Sequence, residues 1–313
     1  MDIGVMLPQI GYAAEHDEMV ETAQAAEALG FSSLWVGDHI AFPTDFGESR
    51  YPFSDSGQFP TATDLPFLEP FVSLGFAAAA TSTIRLGLSA CVLPHRSPLH
   101  IAKSVATLDH LSGGRVELGV AVGWLRKEIE ALGGPFDDRG PWCDEVLEFL
   151  RTAWTSEGPV TYAGKLVQVE DFNVRPHPPQ GADLPVHYAG VTEVARRRAA
   201  RCGGWLPGLY GASPDWVHTA ITELHSMQPD DAEPAMVTLW APVMLTETDP
   251  DPNDEAAKPW RTCMIAGGPD YVAELLRAYA DAGVDRFALW LPGPGPVANL
   301  QTFSDRVRPL LAH

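Results

Sequence analysis

The fold is decided early in the chain, where residues 3–36 read IGVMLPQIGYAAEHDEMVETAQAAEALGFSSLWV. Residues 3–7 form a short apolar segment, residues 17–29 carry apolar side chains at helical spacing, and residues 34–36 are apolar again. Gly30 stands where the helix should end, because glycine adopts the left-handed conformation of a helix C-terminus at little cost. The stretch therefore predicts a strand, a helix and a second strand parallel to the first.

The same alternation continues to the end of the chain. Further strands are predicted at residues 84–89, 116–120, 185–189, 205–206, 236–245 and 287–291, and helices at residues 70–80, 98–111, 144–154, 192–201, 215–227 and 271–282, before a final helix. Eight βα units predict an α/β fold, a (β/α)8 TIM barrel, in which residues 1–313 form a single domain.

Three insertions are predicted in this barrel, after strands 2, 4 and 7. Residues 41–69 and 247–262 are longer than ordinary connections, and residues 158–179, rich in Pro and Gly, are expected to hold a small hairpin. Residues 250–259 are the best candidate for disorder. Because the first and last insertions follow strands, they are expected on the face of the barrel where active sites form.

Composition excludes several classes of partner. The 313 residues include 41 acidic and 21 basic ones, and a net charge of −20 repels nucleic acid and anionic membrane surfaces. The longest apolar segment, residues 71–80, is shorter than the roughly 20 residues of a membrane span, and no leader pattern opens the chain. We expect a soluble, cytoplasmic protein.

The four cysteines are expected to be free thiols, because they lie far apart and no metal-ligand spacing is present: Cys91, Cys143, Cys202 and Cys263.

Asp38 and His39 are the first candidate site residues, because they directly follow the second predicted strand. An aspartate beside a histidine can hold the tautomer of the imidazole while the ring donates or accepts a proton. The alternative is a carboxylate that caps a loop beside a hydrogen-bonded histidine. The residues alone leave both interpretations open.

Two segments of small residues at strand ends are candidates for ligand binding. Ala121, Val122 and Gly123 let backbone N–H groups approach a ligand closely, although the same residues also permit tight turns. The segment Ala189, Gly190, Val191 and Thr192 precedes a helix, whose N-terminus would favour a phosphate; the alternative is that Thr192 is an ordinary N-cap.

The arginines at 196–198 are expected on a solvated face, unless they meet an anionic cofactor tail. The histidines other than His39 are expected to be surface or core groups.

Several motifs together resemble the luciferase-like superfamily, over nearly the whole chain. They are WVGDH at 35–39, LGLS at 86–89, HRSPLHIAK at 95–103, ATLD at 106–109, SGGR at 112–115, LGVAVGW at 118–124, AARCGGW at 199–205 and GVD at 283–285. That family contains enzymes that use FMN with oxygen and enzymes that use the deazaflavin coenzyme F420 for hydride transfer. The Asp38–His39 pair resembles the deazaflavin branch, in which the histidine lies near the reactive carbon and the aspartate supports the site.

The resemblance implies further roles. It places a non-prolyl cis peptide at Ser89–Ala90, under the ring of the cofactor, and assigns residues 121–123 and 189–192 to its ribityl chain and phosphate. One departure from the pattern, Gly203 in place of a usual aspartate, bears on the binding of the cofactor tail. Two others bear on the substrate: Trp124 stands where glucose-6-phosphate dehydrogenases of the branch carry a catalytic glutamate, and their tryptophan near Phe42 is absent.

These departures favour an apolar substrate, bound against Phe42 and Trp124 under residues 41–69. The chain is accordingly predicted to be an F420-dependent oxidoreductase in which His39 donates or accepts a proton and Asp38 orients it, with no metal. An FMN-dependent monooxygenase is the alternative, and a non-catalytic flavin-binding protein is a further one. The resemblance also implies a homodimer.

Overall fold

The computed structural model describes residues 1–52, 54, 56–59, 62–209, 211–248, 264–293 and 295–311. The described strands are β1 (Asp2–Met6), β2 (Ser33–Val36), β3 (Arg85–Val92), β4 (Val116–Ala121), β5 (Val160–Ala163), β6 (Gln168–Phe172), β7 (Val186–Ala189), β8 (Gly204–Leu206), β9 (Met236–Leu245), β10 (Ile265–Gly267) and β11 (Arg286–Trp290). The described helices are α1 (His16–Ala28), α2 (Pro70–Ala80), α3 (Pro98–Ser112), α4 (Arg126–Ala131), α5 (Arg139–Thr155), α6 (Glu193–Cys202), α7 (Pro214–Ser226), α8 (Pro269–Asp281), α9 (Pro296–Arg306) and α10 (Arg308–Leu311).

Eight of these strands run parallel and close into a barrel in the order β1, β2, β3, β4, β7, β8, β9, β11. The ring closes where β11 pairs with β1, with Arg286 opposite Asp2. This arrangement confirms the predicted (β/α)8 barrel, and the predicted strands fall within one to three residues of the observed ones. Because the strands are parallel, the residues that follow them meet at one face of the barrel.

The first two insertions occur where they were predicted. Residues 37–69 connect β2 to α2, and the segment after β4 contains α4, α5 and an antiparallel hairpin of β5 and β6. The small hairpin expected within residues 158–179 is thereby confirmed. After β9, residues 249–263 lie outside the described residues, and with them the stretch 250–259 and Cys263.

Two elements were not predicted, and one helix is longer than expected. Helix α4 has six residues and β10 has three, which is too short for either to display a hydrophobic period. Helix α5 begins at Arg139, five residues before the predicted start. The prediction missed this first turn because it carries Gly140 and Pro141, which are poor helix formers.

Trp35 fills the centre of the barrel. It is fully buried, and its Nε1 donates a hydrogen bond to Ser33 Oγ at 2.8 Å. Two neighbouring strands make room for the indole with glycine: a Cβ at Gly87 would lie 2.2 Å from Trp35 Cε3, and one at Gly4 would lie 2.6 Å from Trp35 Nε1. These glycines are therefore required by the packing of the barrel interior, and their backbone conformation is ordinary.

We expect Gly87→Ala to destabilise the protein by about 1–3 kcal/mol, because the added methyl group must displace a buried indole. Gly75→Ala is the matched control: Gly75 lies inside α2 with no atom within 4 Å of a Cβ, so the same change should stabilise by about 0.5–1 kcal/mol. Urea unfolding of both variants measures the difference. Equal effects at the two positions would contradict the packing argument.

Charged side chains close the barrel at the opposite end, among the first residues of its strands. Glu117 of β4 accepts hydrogen bonds from Arg85 of β3 and from Arg286 of β11. His187 of β7 is buried with its Nε2 3.5 Å from Glu117 Oε2. A carboxylate inside the barrel thus lies between two guanidinium groups, a buried arrangement that is stable only while all partners are present.

Other features of the described residues bear on the remaining expectations. No described helix is long and apolar enough to cross a membrane. Within the same residues, no group of His, Cys, Asp and Glu is arranged to hold a metal ion. Cys91 and Cys143 are buried free thiols, and Cys202 is half-buried and free.

Candidate active site

His39 lies at the mouth of the barrel, three residues after β2, and its ring is bound by a carboxylate from another part of the chain. Its Nδ1 is 2.7 Å from Oε2 of Glu128, in the first turn of α4. Both side chains are buried. His39 Nε2 has no hydrogen-bond partner among the described residues.

Glu128 is itself held in place by the backbone that follows His39. Its Oε1 accepts hydrogen bonds from Ile40 N at 2.7 Å and from Ala41 N at 3.1 Å. Burial alone would raise the pKa of Glu128, but the hydrogen bond and charge of His39, with those of its other neighbours, lower it below the usual value. Glu128 is therefore ionised at neutral pH and acts only as an acceptor.

Asp38 has a different partner from the one predicted. Arg96 binds both of its oxygens, at 2.7 and 3.0 Å, and Val92 N donates to Oδ2 at 2.8 Å. Burial alone would raise the pKa of Asp38, but His95 and the Arg96 guanidinium lower it to about 2. The prediction that Asp38 orients the His39 ring is wrong: its oxygens are taken by Arg96 and Val92, and Glu128 orients the ring instead.

His95 lies between the two carboxylates. It is buried, with Nε2 3.5 Å from Glu128 Oε2 and Nδ1 3.8 Å from Asp38 Oδ2. Arg96 extends the group further, because it also donates to Glu69 at 2.8 Å. The mouth of the barrel therefore contains a connected set of acids and bases, all buried except the half-buried Glu69. Within this set, His39 contacts the aromatic lining.

Four aromatic rings surround His39. The ring centroids of Phe42, Phe67, Phe59 and Trp124 lie 4.4, 5.5, 5.6 and 5.9 Å from that of His39. Three of these residues belong to the insertion after β2, and Trp124 follows β4. Phe42 and Trp124 are thus next to the candidate proton donor or acceptor, where the sequence placed them, and their role in substrate binding stays a prediction.

The far side of the mouth is apolar as well. In β9 and β11, Leu239, Val243, Phe287 and Leu289 pack in the core beneath the helices, so the alternate residues face the barrel interior. Those alternate positions at the mouth carry Met244 and Trp290, which remain 39% and 40% exposed. The opening is therefore bounded by the acid–base group and its aromatic rings on the side of β2, β3 and β4, and by Met244 and Trp290 on the side of β9 and β11.

The residues predicted to bind the cofactor end three neighbouring strands. Ser89 and Ala90 lie in β3 and are joined by a cis peptide bond, which confirms that prediction. Residues 121–123 follow on β4, and Ala189 and Gly190 on β7, which pairs with β4. All of these residues are half-buried. The structure brings them together at the mouth, and their contact with a cofactor stays a prediction.

In the segment before α6 the N-cap interpretation is confirmed, and the binding of a phosphate there stays a prediction. The Thr192 hydroxyl accepts from Ala195 N at 3.2 Å, so Thr192 is an N-cap. The arginines that follow do not form a solvated face. Arg196 binds Val191 O at 2.8 Å and Glu223, Arg198 binds Asp144, and only Arg197 is largely exposed, beside Glu193. The helix is amphipathic, and two of these three arginines bind carboxylates of the neighbouring helices α7 and α5.

Sequence reasoning missed Glu128, Arg96 and Glu69. Glu128 lies 89 residues from His39, so no local spacing connects them. The available signal was positional: Glu128 closely follows β4, and polar residues after a barrel strand belong to the face where active sites form. Trp124, four residues earlier, drew attention because it replaces a glutamate in the resembling enzymes, yet a carboxylate reaches the site from the next turn.

A (β/α)8 barrel with a buried carboxylate–histidine pair at the carboxyl ends of its strands has the architecture of an enzyme. Residues 1–264 match the family described as luciferase-like monooxygenase, and the chain belongs to that family. The family assignment rests on the greater part of the chain.

Individual relatives add detail. An uncharacterized protein of Mycobacterium tuberculosis is 32% identical over 67% of this chain and 70% of its own length. An F420-dependent glucose-6-phosphate dehydrogenase of Amycolatopsis mediterranei is 26% identical over 97% of this chain and 98% of its own. The structure of an F420-dependent secondary alcohol dehydrogenase in complex with an F420–acetone adduct matches with a TM-score of 0.78, at 18% identity, over 99% of this chain and 98% of that one. This last likeness shows the fold.

Proposed function

We propose that the protein is an F420-dependent oxidoreductase that transfers a hydride between the deazaflavin and a small, largely apolar organic substrate. One observation carries the proposal: His39 is held by a buried carboxylate beside the strand ends that are suited to a flavin-like ring, and its other side faces aromatic rings. The F420-dependent relatives support the choice of cofactor.

The residues at the mouth fit such a cofactor. Small side chains at 89–90, 121, 123 and 189–190 leave half-buried backbone along three adjacent strands, where a planar ring and its chain can lie close to the main chain. When bound, F420 supplies a carbon that gives or accepts a hydride and reacts poorly with oxygen. The protein's own residues position the two partners and move the accompanying proton.

His39 is the residue that moves this proton. Oxidation of an alcohol-like substrate releases a hydride from carbon and a proton from oxygen, and the proton passes to His39 Nε2; reduction runs the same transfer backwards. Glu128 stabilises the imidazolium that forms, since it binds the opposite nitrogen.

The charges at the mouth support a neutral substrate. The cations beside the loops that build it already have partners within the protein. Arg96 is bound to Asp38, Arg126 to Asp137 and Lys127 to Asp45, while Arg50 and Arg139 donate to backbone carbonyl groups. A phosphate-bearing substrate would have to compete with these partners. The aromatic lining contributes instead about 25 cal/mol for each Å² of apolar substrate surface that it buries.

Fluorescence titration of the purified protein with F420 and, in parallel, with FMN tests the proposal. We expect micromolar or tighter binding of F420 and much weaker binding of FMN. A preference for FMN, with oxygen consumption by reduced FMN, would assign the protein to the monooxygenase chemistry after which the family is named. Tight F420 binding without turnover of alcohols, enones or imines would instead support a non-catalytic binding protein.

We further propose that the enzyme works as a cytoplasmic homodimer. Light scattering of the purified protein distinguishes a dimer from the 33.9 kDa monomer.

A further inference from the structure

Glu128 makes two kinds of contact, and their combination restricts the protonation of His39. One oxygen, Oε1, accepts from the backbone N–H groups of Ile40 and Ala41, while the other, Oε2, faces His39 Nδ1. A backbone N–H can only donate, so Oε1 must remain an acceptor. An ionised carboxylate has no proton to give, so the hydrogen bond at Oε2 requires a proton on His39 Nδ1.

From this geometry we infer that Glu128 is a positioning residue that fixes neutral His39 as the Nδ1–H tautomer and leaves Nε2 as the proton acceptor of the site. The tautomer follows from contacts within the protein alone. The use made of it in turnover rests on the proposed function, in which Nε2 accepts the substrate proton.

The surroundings of the pair favour the ionised carboxylate. His95 Nε2 lies 3.5 Å from the same Oε2, and Arg96 neutralises the nearby Asp38. The remaining neighbours of the His39 ring are aromatic: Phe42, Phe59, Phe67 and Trp124. No other described acid or base forms a hydrogen bond with His39, so Glu128 alone determines which ring nitrogen carries the proton.

Glu128→Gln gives a sharp test, because the amide can fit in only one orientation. Its oxygen must face the two backbone N–H groups, which places its NH2 against His39 Nδ1. Nδ1 then has to accept, and the proton moves to Nε2. A substitution of one atom therefore inverts the tautomer and turns the acceptor of the site into a donor.

The direct measurement is the 15N spectrum of the histidine rings in the ligand-free protein, with His39 assigned by the loss of its signals in His39→Ala. We expect an Nδ1–H ring in the wild type and an Nε2–H ring in Glu128→Gln. An Nε2–H ring in the wild type would overturn the inference, and so would an unchanged tautomer in the variant. The wild-type spectrum decides the question even if the variant fails to fold.

Glu145→Gln is the matched control. Glu145 also accepts from consecutive backbone N–H groups, those of Lys165, Leu166 and Val167, but has no histidine partner. We expect it to leave the His39 tautomer unchanged. Glu128→Asp keeps an acceptor-only carboxylate and should retain the Nδ1–H ring.

Turnover provides a second reading. In Glu128→Gln we expect kcat to fall at least tenfold while the Kd for F420 stays within about twofold, because the lost function is proton acceptance. If F420 does not bind the wild type, the proposed function fails while the tautomer result stands. An inverted tautomer with unchanged kcat would remove the positioning role from catalysis.

Discussion

His39→Ala should lower kcat by about 10²–10⁴-fold with little change in the Kd for F420, because a positioned acid or base contributes about that much to proton transfer. The ring is held by Glu128 at 2.7 Å and faces the aromatic lining, so its removal takes away the proton acceptor without disturbing the strand ends where we place the cofactor. Steady-state rates with the best substrate of a panel, and a fluorescence titration, measure the two quantities separately.

His100→Ala is the control for this prediction. His100 lies in the first turn of α3 with an exposed side chain, so its removal should leave both kcat and Kd unchanged. If His39→Ala keeps wild-type turnover, His39 has no part in the reaction. If instead it loses F420 binding, the ring contacts the cofactor rather than the substrate proton.

The order of strands and helices could be predicted because each element is long enough to show its period. Helix α2 is the clearest case: its proline at the first position and its apolar run predict residues 70–80, the limits that are observed. The short elements α4 and β10 carry no such signal. The early part of the insertion after β4 was therefore interpreted as connection, although α4 carries Glu128.

The sequence predicted where the candidate site lies but not which residues bind each other within it. Asp38 and His39 are neighbours in sequence, and that proximity suggested that one orients the other. In the structure Asp38 binds Arg96, 58 residues away, and His39 binds Glu128, 89 residues away. An arginine fork that binds both carboxylate oxygens is a stronger partner than an adjacent imidazole, and only the packed barrel brings that fork to Asp38.

The charged interior at the other end of the barrel had no sequence signal at all. Glu117 alternates with apolar residues in β4, which is equally typical of a strand with one solvated face. Closure of the barrel turns that face inward, against Arg85 and Arg286. The motifs that resemble the family do not include Glu117, so they gave no indication that these charges meet. The contribution of this group to the free energy of unfolding can be tested by replacing Glu117.

Glu117→Ala should destabilise the protein by about 3–5 kcal/mol, because it leaves Arg286 buried beside Arg85 without the carboxylate that both of them bind. Urea unfolding measures the loss. Glu170→Ala on the exposed hairpin strand β6 is the control and should change the stability by less than about 0.5 kcal/mol. The double replacement Glu117→Leu with Arg286→Leu should recover part of the loss, since it removes the unpaired buried charge.

The loss of stability caused by Glu117→Gln should depend on pH and become smaller as the pH falls. Burial alone would raise the pKa of Glu117, but His187, Arg286 and Arg85 lower it from 4.5 to about 2. A pKa that is lower in the folded state means that the carboxylate stabilises the fold fully above about pH 4.5 and loses this contribution as the pH falls towards 2. The difference in unfolding free energy between wild type and Glu117→Gln should therefore be constant near neutral pH and shrink between pH 4.5 and 2. A difference that stays constant over this range would mean that Glu117 is not ionised in the folded barrel. Glu117 would then be a neutral carboxylic acid that is hydrogen-bonded to its neighbours, and the group would contain no buried ion pair.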